Sequence, residues 1–378
     1  MLSRERHIDT ATPMRLCYVG WADQVHLERW AGYFARAGHQ VSVVSFTGKG
    51  EYPPGVIQRT IGLDRRGTRW KELKLKYLLW DLKPDLVHVH WAHYAPSVKR
   101  VWDGPTIVTS YGSDIHRLGE QPKSVQADIV DGLRRVDIIT CDSRDTRARI
   151  RDLTGQSDDR VRVIQWGVDT RLFSPGTPDP ALFRSLVGCS RPVVYSARNF
   201  TPLYNLDVVL SAFKIVLGEF RDALLLMKYN TGTPEYRAMI EDRIAAEGFA
   251  DSVRIVETMP YERIPDLLRM ANAMVSIPSS DSTPMSLLEA MASGAPPIVS
   301  NLPALREWIT DGWNGYLVSP RDTQAVAARI IETLRNGDIA KGFAARNLEI
   351  VKQRASQDAN MLEVARIYRH LASRTVAA

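Results

Sequence analysis

Short apolar runs rich in β-branched residues alternate along this chain with stretches whose apolar residues fall at helical spacing, and the alternation is played out twice. Runs of that kind are buried on both faces, so they build parallel sheets whose crossovers are helices. The first series predicts strands over 15–20, 41–46, 56–60, 86–90, 106–110, 138–141 and 161–164. Its first helix, predicted over 25–37, sets Leu27, Trp30, Tyr33 and Phe34 on one face and stops at Gly38, a C-terminal cap. The stretch 173–180, FSPGTPDP, then breaks the pattern with three prolines and a glycine. A second series follows over 193–197, 224–227, 253–256, 273–277, 297–299 and 315–318.

This order predicts an α/β chain of two Rossmann-like, parallel-sheet domains. The expected divisions are a flexible N-terminal extension over 1–13, a first domain over 14–175, a linker over 176–190, a second domain over 191–355, and a helix over 356–378 that packs as a tail. A length of 378 residues suits two separate cores. With 24% charged residues the chain is expected to fold rather than stay disordered. No apolar run approaches the ~20 residues of a membrane span, and the first residues, MLSRERHIDTATP, hold no apolar core of a signal peptide. Cys17, Cys141 and Cys189 lie far apart and in no C-x-x-C pair, which predicts a reducing, cytoplasmic setting.

Open parallel sheets bind ligands beyond the carboxyl ends of their strands, and two sheets facing across a cleft would hold one ligand between them. The turn after the first strand, GWADQVH over 20–26, lacks the G-x-G-x-x-G fingerprint, and no Walker sequence occurs anywhere. That argues against nicotinamide and ATP as ligands. The stretch most suited to a ligand is 276–294, SIPSSDSTPMSLLEAMASG. It reads as a strand end, a small polar loop and a helix, with Thr283 as N-cap and Pro284 in the first turn. Backbone N–H groups of Met285, Ser286 and Leu287 at the positive end of that helix suit a pyrophosphate or sugar hydroxyls. Glu289 and Asp281 can accept hydrogen bonds from a ribose or sugar diol; a capped surface helix with a solvated Glu289 is the plainer alternative.

Asp281 and Glu289 are separated by seven residues and run into Leu288-Glu289-Ala290-Met291-Ala292-Ser293-Gly294. The segment resembles the E-x7-E signature of retaining GT-B glycosyltransferases of the family-4 type. The resemblance extends over nearly the whole chain: Trp30, Phe34, Gly38 and His39 in the first helix, PDLVHVH over 84–90, Gly112-Ser113-Asp114, Gly167-Val168-Asp169 with Phe173, Arg198, and PALREWITDGWNGYLV over 303–318. It implies a GT-B fold and transfer of a hexose from a UDP- or GDP-linked sugar with retention, with no cofactor and no obligatory metal. By the same resemblance Glu289, Asp281 and Arg198 hold the donor, while Asp114 and Tyr111 lie on the side of an acceptor that is a small molecule, a glycan or lipid-linked; strand-end position puts His90 and His26 on that side too, with a helix-capping or buried role as the alternative for His26. A catalytically lapsed nucleotide-sugar-binding scaffold and a sugar-nucleotide epimerase are the alternatives.

Three departures bear on these expectations. Asp281 stands where the family has a glutamate, one methylene longer. The family's R-x-x-x-x-K-G reads Arg198-Asn199-Phe200-Thr201-Pro202-Leu203-Tyr204, without its lysine. A departing diphosphate still needs positive charge aimed at it, and Lys228, after the strand 224–227, is the candidate replacement, with a solvated strand-end lysine as the alternative. Tyr111 takes the place of a family histidine. His88, His90 and His93 could suggest a metal, but no carboxylate or thiolate stands at ligand spacing beside them, so no metal site is expected. The base reader is expected near 257–260.

The net charge of +6 lies wholly in the first half: residues 1–175 carry 27 Lys and Arg against 21 Asp and Glu, residues 176–378 carry 22 of each. Much of it falls in 65–83, where Arg65, Arg66, Arg69, Lys71, Lys74, Lys76 and Lys83 are interleaved with Trp70, Leu73, Tyr77 and Trp80. Two readings stay open for this segment: a sheet-covering helix with its aromatics in the core, or a basic amphipathic helix resting on the inner face of an anionic membrane. No nucleic-acid motif accompanies the charge, so no nucleic-acid partner is expected.

Overall fold

The computed structural model describes residues 12–62 and 68–376. Most of the expected extension over 1–13, together with Arg65 and Arg66, lies outside the described residues.

Two parallel sheets carry the chain. The first holds β1 (Arg15–Gly20), β2 (Gln40–Ser45), β3 (Ile57–Thr60), β4 (Leu86–His90), β5 (Thr106–Thr109), β6 (Ile138–Cys141) and β7 (Val161–Val163), in the order β3-β2-β1-β4-β5-β6-β7. The second holds β8 (Val193–Ser196), β9 (Leu224–Lys228), β10 (Val253–Val256), β11 (Ala273–Ser276), β12 (Pro297–Ser300) and β13 (Tyr316–Val318), in the order β10-β9-β8-β11-β12-β13. The apolar runs are legible as strands because both faces of each sheet are covered. In the second sheet Val193, Tyr195, Leu224 and Leu226 enter one core while Val194, Leu225 and Met227 enter another, the period-two alternation of a strand between two helix layers.

The helix Val25–Arg36 buries Leu27, Trp30, Tyr33 and Phe34 as its spacing predicts. Gly38 ends it at φ +91°, in the left-handed region that a side chain disfavours.

The chain divides into two compact units, Met1–Trp166 with Ala359–Ala378, and Gly167–Asp358. Two expected boundaries are corrected: the first unit ends at Trp166 rather than at 175, and 176–190 is not a separate linker. The segment 176–190 belongs to the second unit: Pro180–Leu186 is a helix, Asp179 caps it by accepting from the Leu182 amide at 2.7 Å, and Leu182, Phe183 and Leu186 pack on the core of that unit. Pro180 is a helix-starting proline rather than a sign of a linker. The closing helix, Gln357–Val376, packs on the first unit: Met361, Val364, Tyr368 and Leu371 are buried and Tyr368 reaches the centre of the first sheet. No helix among the described residues is long and apolar enough to cross a membrane.

Candidate active site

In the second unit the chain leaves β8 toward β9 on one side and later returns to pair β11 on the other. Loops after β8 and β11 therefore diverge and open a crevice at the strand ends. Arg198 follows β8, and Asp281 follows β11. The Arg198 guanidinium reaches Asp281 Oδ2 at 2.5 Å and Ser286 Oγ at 3.3 Å, and it lies 4.2 Å over the ring of Tyr204. Tyr204, standing where the family pattern has a glycine, thus helps to fix the arginine. Asn205, at φ +50°, donates to the Ile277 carbonyl at 2.7 Å and to Ser279 Oγ at 3.0 Å, tying the β8 loop to the β11 loop.

The helix Met285–Ser293 begins at Pro284, which is its N-cap. Thr283 is not the cap, which corrects the expectation: its hydroxyl accepts from Trp308 Nε1 at 3.1 Å. The Leu287 amide bonds back to the Pro284 carbonyl at 3.1 Å, so of the three expected amides those of Met285 and Ser286 stand at the positions an α-helix leaves outside its own ladder.

Glu289 is 7% exposed, not a solvated surface residue, and accepts from the Tyr261 hydroxyl at 2.6 Å. Lys228 is 4% exposed, which also rules out a solvated strand-end lysine; it donates to Asn230 Oδ1. Burial pushes its pKa down while the charge of Glu289 pushes it up. Tyr195 Oη, Ser196 Oγ, Arg198 Nε and Ser276 Oγ are buried at these strand ends with no protein partner among the described residues. Such a group costs ~1–3 kcal/mol only where neither water nor a ligand satisfies it, so these atoms are open to a bound partner. The expected base-reading segment holds Glu257, which pairs with Arg237 at 2.5 Å; Arg237 in turn lies 4.3 Å over Tyr229.

In the first unit the corresponding divergence lies between β1 and β4, and the residues there are aromatic. His26 stacks on Trp166 at 4.3 Å and meets Tyr111 edge-on at 5.6 Å. His90 Nδ1 shares a hydrogen bond with the Tyr111 hydroxyl at 3.1 Å, and Trp30, Trp166 and Tyr111 surround its ring. Sequence reasoning found His26, His90 and Tyr111 but not the Trp166 and Trp91 rings that hold them. His26 Nδ1, Trp30 Nε1, His90 Nε2, Trp91 Nε1 and His93 Nδ1 are buried without a protein partner among the described residues. Burial holds His26 down to about 3 and His90 well below its ordinary value, so both rings are neutral near pH 7.

Asp114 is engaged within the fold. It is 3% exposed, and its carboxylate accepts from the Ala92 amide at 2.8 Å, Ser110 Oγ at 2.7 Å and the Tyr111 amide at 3.1 Å. Its place beside Ala92 has a reason: Trp91, the residue after β4, is held at φ +83°, a strained conformation for an aromatic residue. Asp114 pins that turn and the Tyr111 backbone together. His88 shares hydrogen bonds with the Tyr368 hydroxyl at Nδ1 and Thr109 Oγ1 at Nε2, both at 2.6 Å. Both its nitrogens are committed, and among the described residues no three His, Cys, Asp or Glu side chains are grouped to hold a metal ion.

Two doubly wound sheets with polar clusters at their divergence points define a GT-B fold, and solved structures agree. Sucrose-phosphate synthase from Thermosynechococcus elongatus superposes with a TM-score of 0.81 at 17% identity, over 95% of this chain and 99% of that one. Anabaena HepE in complex with UDP-glucose does so with a TM-score of 0.81 at 15% identity, over 95% and 100%. Residues 24–172 match the model of Glycosyltransferase Family 4, and 184–348 that of Glycosyl transferases group 1. The chain belongs to the group 1, family-4 glycosyltransferases. Among curated relatives, D-inositol 3-phosphate glycosyltransferase of Frankia alni is 27% identical over 274 residues, 66% of each protein. N-acetyl-alpha-D-glucosaminyl L-malate synthase of Bacillus anthracis is 25% identical over 298 residues, 75% of this chain and 74% of that protein.

Proposed function

We propose that this chain transfers a hexose, with retention, from a UDP- or GDP-linked donor bound at the β8–β11 divergence to an acceptor bound through the first unit. The observation that carries the proposal is that Glu289, Lys228 and Arg198 are buried at the strand ends, with Asp281 half-buried against Arg198, beside four polar atoms without protein partners among the described residues. Glu289, oriented by Tyr261, accepts from a diol of the donor. The diphosphate takes its positive charge from Arg198, Lys228 and the Met285 and Ser286 amides, and with that charge supplied by the chain no metal is required.

Asp281 neutralises Arg198 in the absence of donor, so a diphosphate has to share or displace it. As the leaving group separates, negative charge grows on the phosphate, and preorganised donors lower the barrier most at that point. With no side chain assigned as nucleophile, the acceptor hydroxyl attacks from the face the phosphate leaves, and the phosphate oxygen takes its proton.

The acceptor side suits a sugar or cyclitol. A pyranose packs its apolar face on aromatic rings and hydrogen-bonds through its hydroxyls, and Trp91, Trp166, Tyr111, His26 and His90 offer rings together with neutral nitrogen atoms. Two relatives are named for small hydroxylated compounds, inositol 3-phosphate and malate, in keeping with such an acceptor here. Cys17, Cys141 and Cys189 form no disulfide with one another, which supports a cytoplasmic setting.

Thermal shift against UDP, GDP and their hexose conjugates, followed by a hydrolysis assay without acceptor, tests the proposal. A transferase is stabilised by one nucleotide series and hydrolyses its sugar slowly. A lapsed scaffold, whose Asp281 stays committed to Arg198, is stabilised but hydrolyses nothing.

A further inference from the structure

The helix Thr68–Leu82 is apolar on two opposite faces. Leu75, Leu78 and Leu79 are buried in the core of the first unit. On the other side Leu73, Tyr77 and Trp80 are 66%, 60% and 68% exposed, the three highest values among the described large hydrophobic residues. At positions i, i+4 and i+7 they form one stripe, with the Tyr77 and Trp80 rings 6.0 Å apart. Arg69 and Lys76 flank the stripe with no carboxylate partner among the described residues, Lys83 follows just past the helix end, Glu72 is held by Arg100, and Asp81 is the exposed carboxylate on the opposite flank. The helix thus covers the sheet with Leu75, Leu78 and Leu79 and packs Trp70 against the same core, but Tyr77 and Trp80 stand outside it.

We propose that this stripe is a docking surface for an anionic lipid bilayer. Apolar and aromatic side chains in line, bordered by unpaired cations, match the apolar depth and negative surface of such a membrane. A second copy of the chain fits less well. Two rings and a leucine present roughly 400 Å², about half of one side of a stable interface, and a symmetric contact would oppose the same cations. The placement also serves the site. The helix crosses from the end of β3 to the start of β4, antiparallel to the strands, and Lys74 Nζ donates to the Ile61 carbonyl at 3.0 Å. Its first turn thus lies at the sheet edge that bears His26, His90 and Tyr111, where a membrane-embedded acceptor would present its head. The surface stands on exposure and charge, independently of the proposed transfer.

The test is flotation of the full chain with vesicles of phosphatidylcholine, with and without phosphatidylglycerol, at low and high salt. The expected result is flotation with anionic vesicles only, weakened by salt. Leu73→Ser/Tyr77→Ser/Trp80→Ser lowers partition at least tenfold, and Lys76→Gln about fivefold. Both variants keep nucleotide-sugar hydrolysis, so failure of the surface and failure of the transfer are read separately. Failure to float with anionic vesicles, equal partition of wild type and the triple variant, salt-insensitive binding to neutral vesicles, or a dimer in sedimentation that the triple variant dissolves would each overturn the proposal.

Discussion

The Tyr261 hydroxyl donates to Glu289 Oε1 at 2.6 Å, joining the segment after β10 to the helix after β11 across 28 residues of sequence. It fixes one carboxylate oxygen of a buried acid. Removing the phenol should therefore affect donor geometry more than folding. Tyr261→Phe is expected to lower kcat/KM roughly tenfold, the effect of one hydrogen bond to a charged group, with the melting temperature almost unchanged. Steady-state kinetics with thermal unfolding check this, and unchanged kcat/KM contradicts it.

Lys228 is a buried cation whose desolvation opposes its charge. Lys228→Ala is expected to weaken nucleoside-diphosphate binding tenfold or more while stability holds or rises, the trade seen where a site carries strain for function. Calorimetric titration reads the affinity directly. Donor affinity equal to wild type would remove Lys228 from the site.

If chain-borne charge supports the leaving group, chelation of divalent ions with EDTA leaves turnover unchanged. A loss restored by added magnesium would assign that charge to a metal instead.

The His88 ring is pushed down to about 3 by burial alone, whereas in the unfolded chain it titrates near ~6.5. Folding thus favours the neutral ring. Its contribution is complete above the unfolded pKa and is lost as pH falls toward the folded one. Each unit of pH below ~6.5 costs ~1.4 kcal/mol, so acidification from about pH 7 to about pH 5 lowers unfolding free energy by ~2 kcal/mol from His88, with His90 adding in the same direction. Urea unfolding at the two pH values measures it; equal stability would contradict the burial.

The same ring binds the closing helix. The Tyr368 hydroxyl meets His88 Nδ1 at 2.6 Å and the Tyr18 hydroxyl at 3.0 Å. Tyr368→Phe leaves both short of a partner and is expected to cost ~1–3 kcal/mol of stability, read by urea unfolding near neutral pH. No loss would mean the closing helix is held by its apolar contacts alone.

These contacts mark where sequence reasoning stops. Strands such as Leu86–His90 and Leu224–Lys228 are legible because burial on both faces leaves an unbroken apolar run; Asp281 and Glu289 stand out as candidates because a strand end and a helix start restrict where a ligand can sit, whereas Arg198 is singled out by the family resemblance alone. Tyr368 meets His88 across 280 residues, and nothing local announces it. Thr283 reads as a cap until Trp308, 25 residues on, takes its hydroxyl. Asp114 reads as an acceptor-side residue, and its sequence cannot show that Trp91 needs pinning. The helix Thr68–Leu82 was ambiguous for a physical reason: its apolar residues serve two faces, and spacing alone does not say which one meets the core.

The most direct measure of the account is transfer by Glu289→Ala beside wild type, with whichever nucleotide sugar stabilises the protein and with circular dichroism to establish that both are folded. The account predicts at least a hundredfold loss of nucleotide-sugar turnover, ~3 kcal/mol of transition-state stabilisation, in a variant with the wild-type fold. Wild-type turnover in folded Glu289→Ala would contradict it.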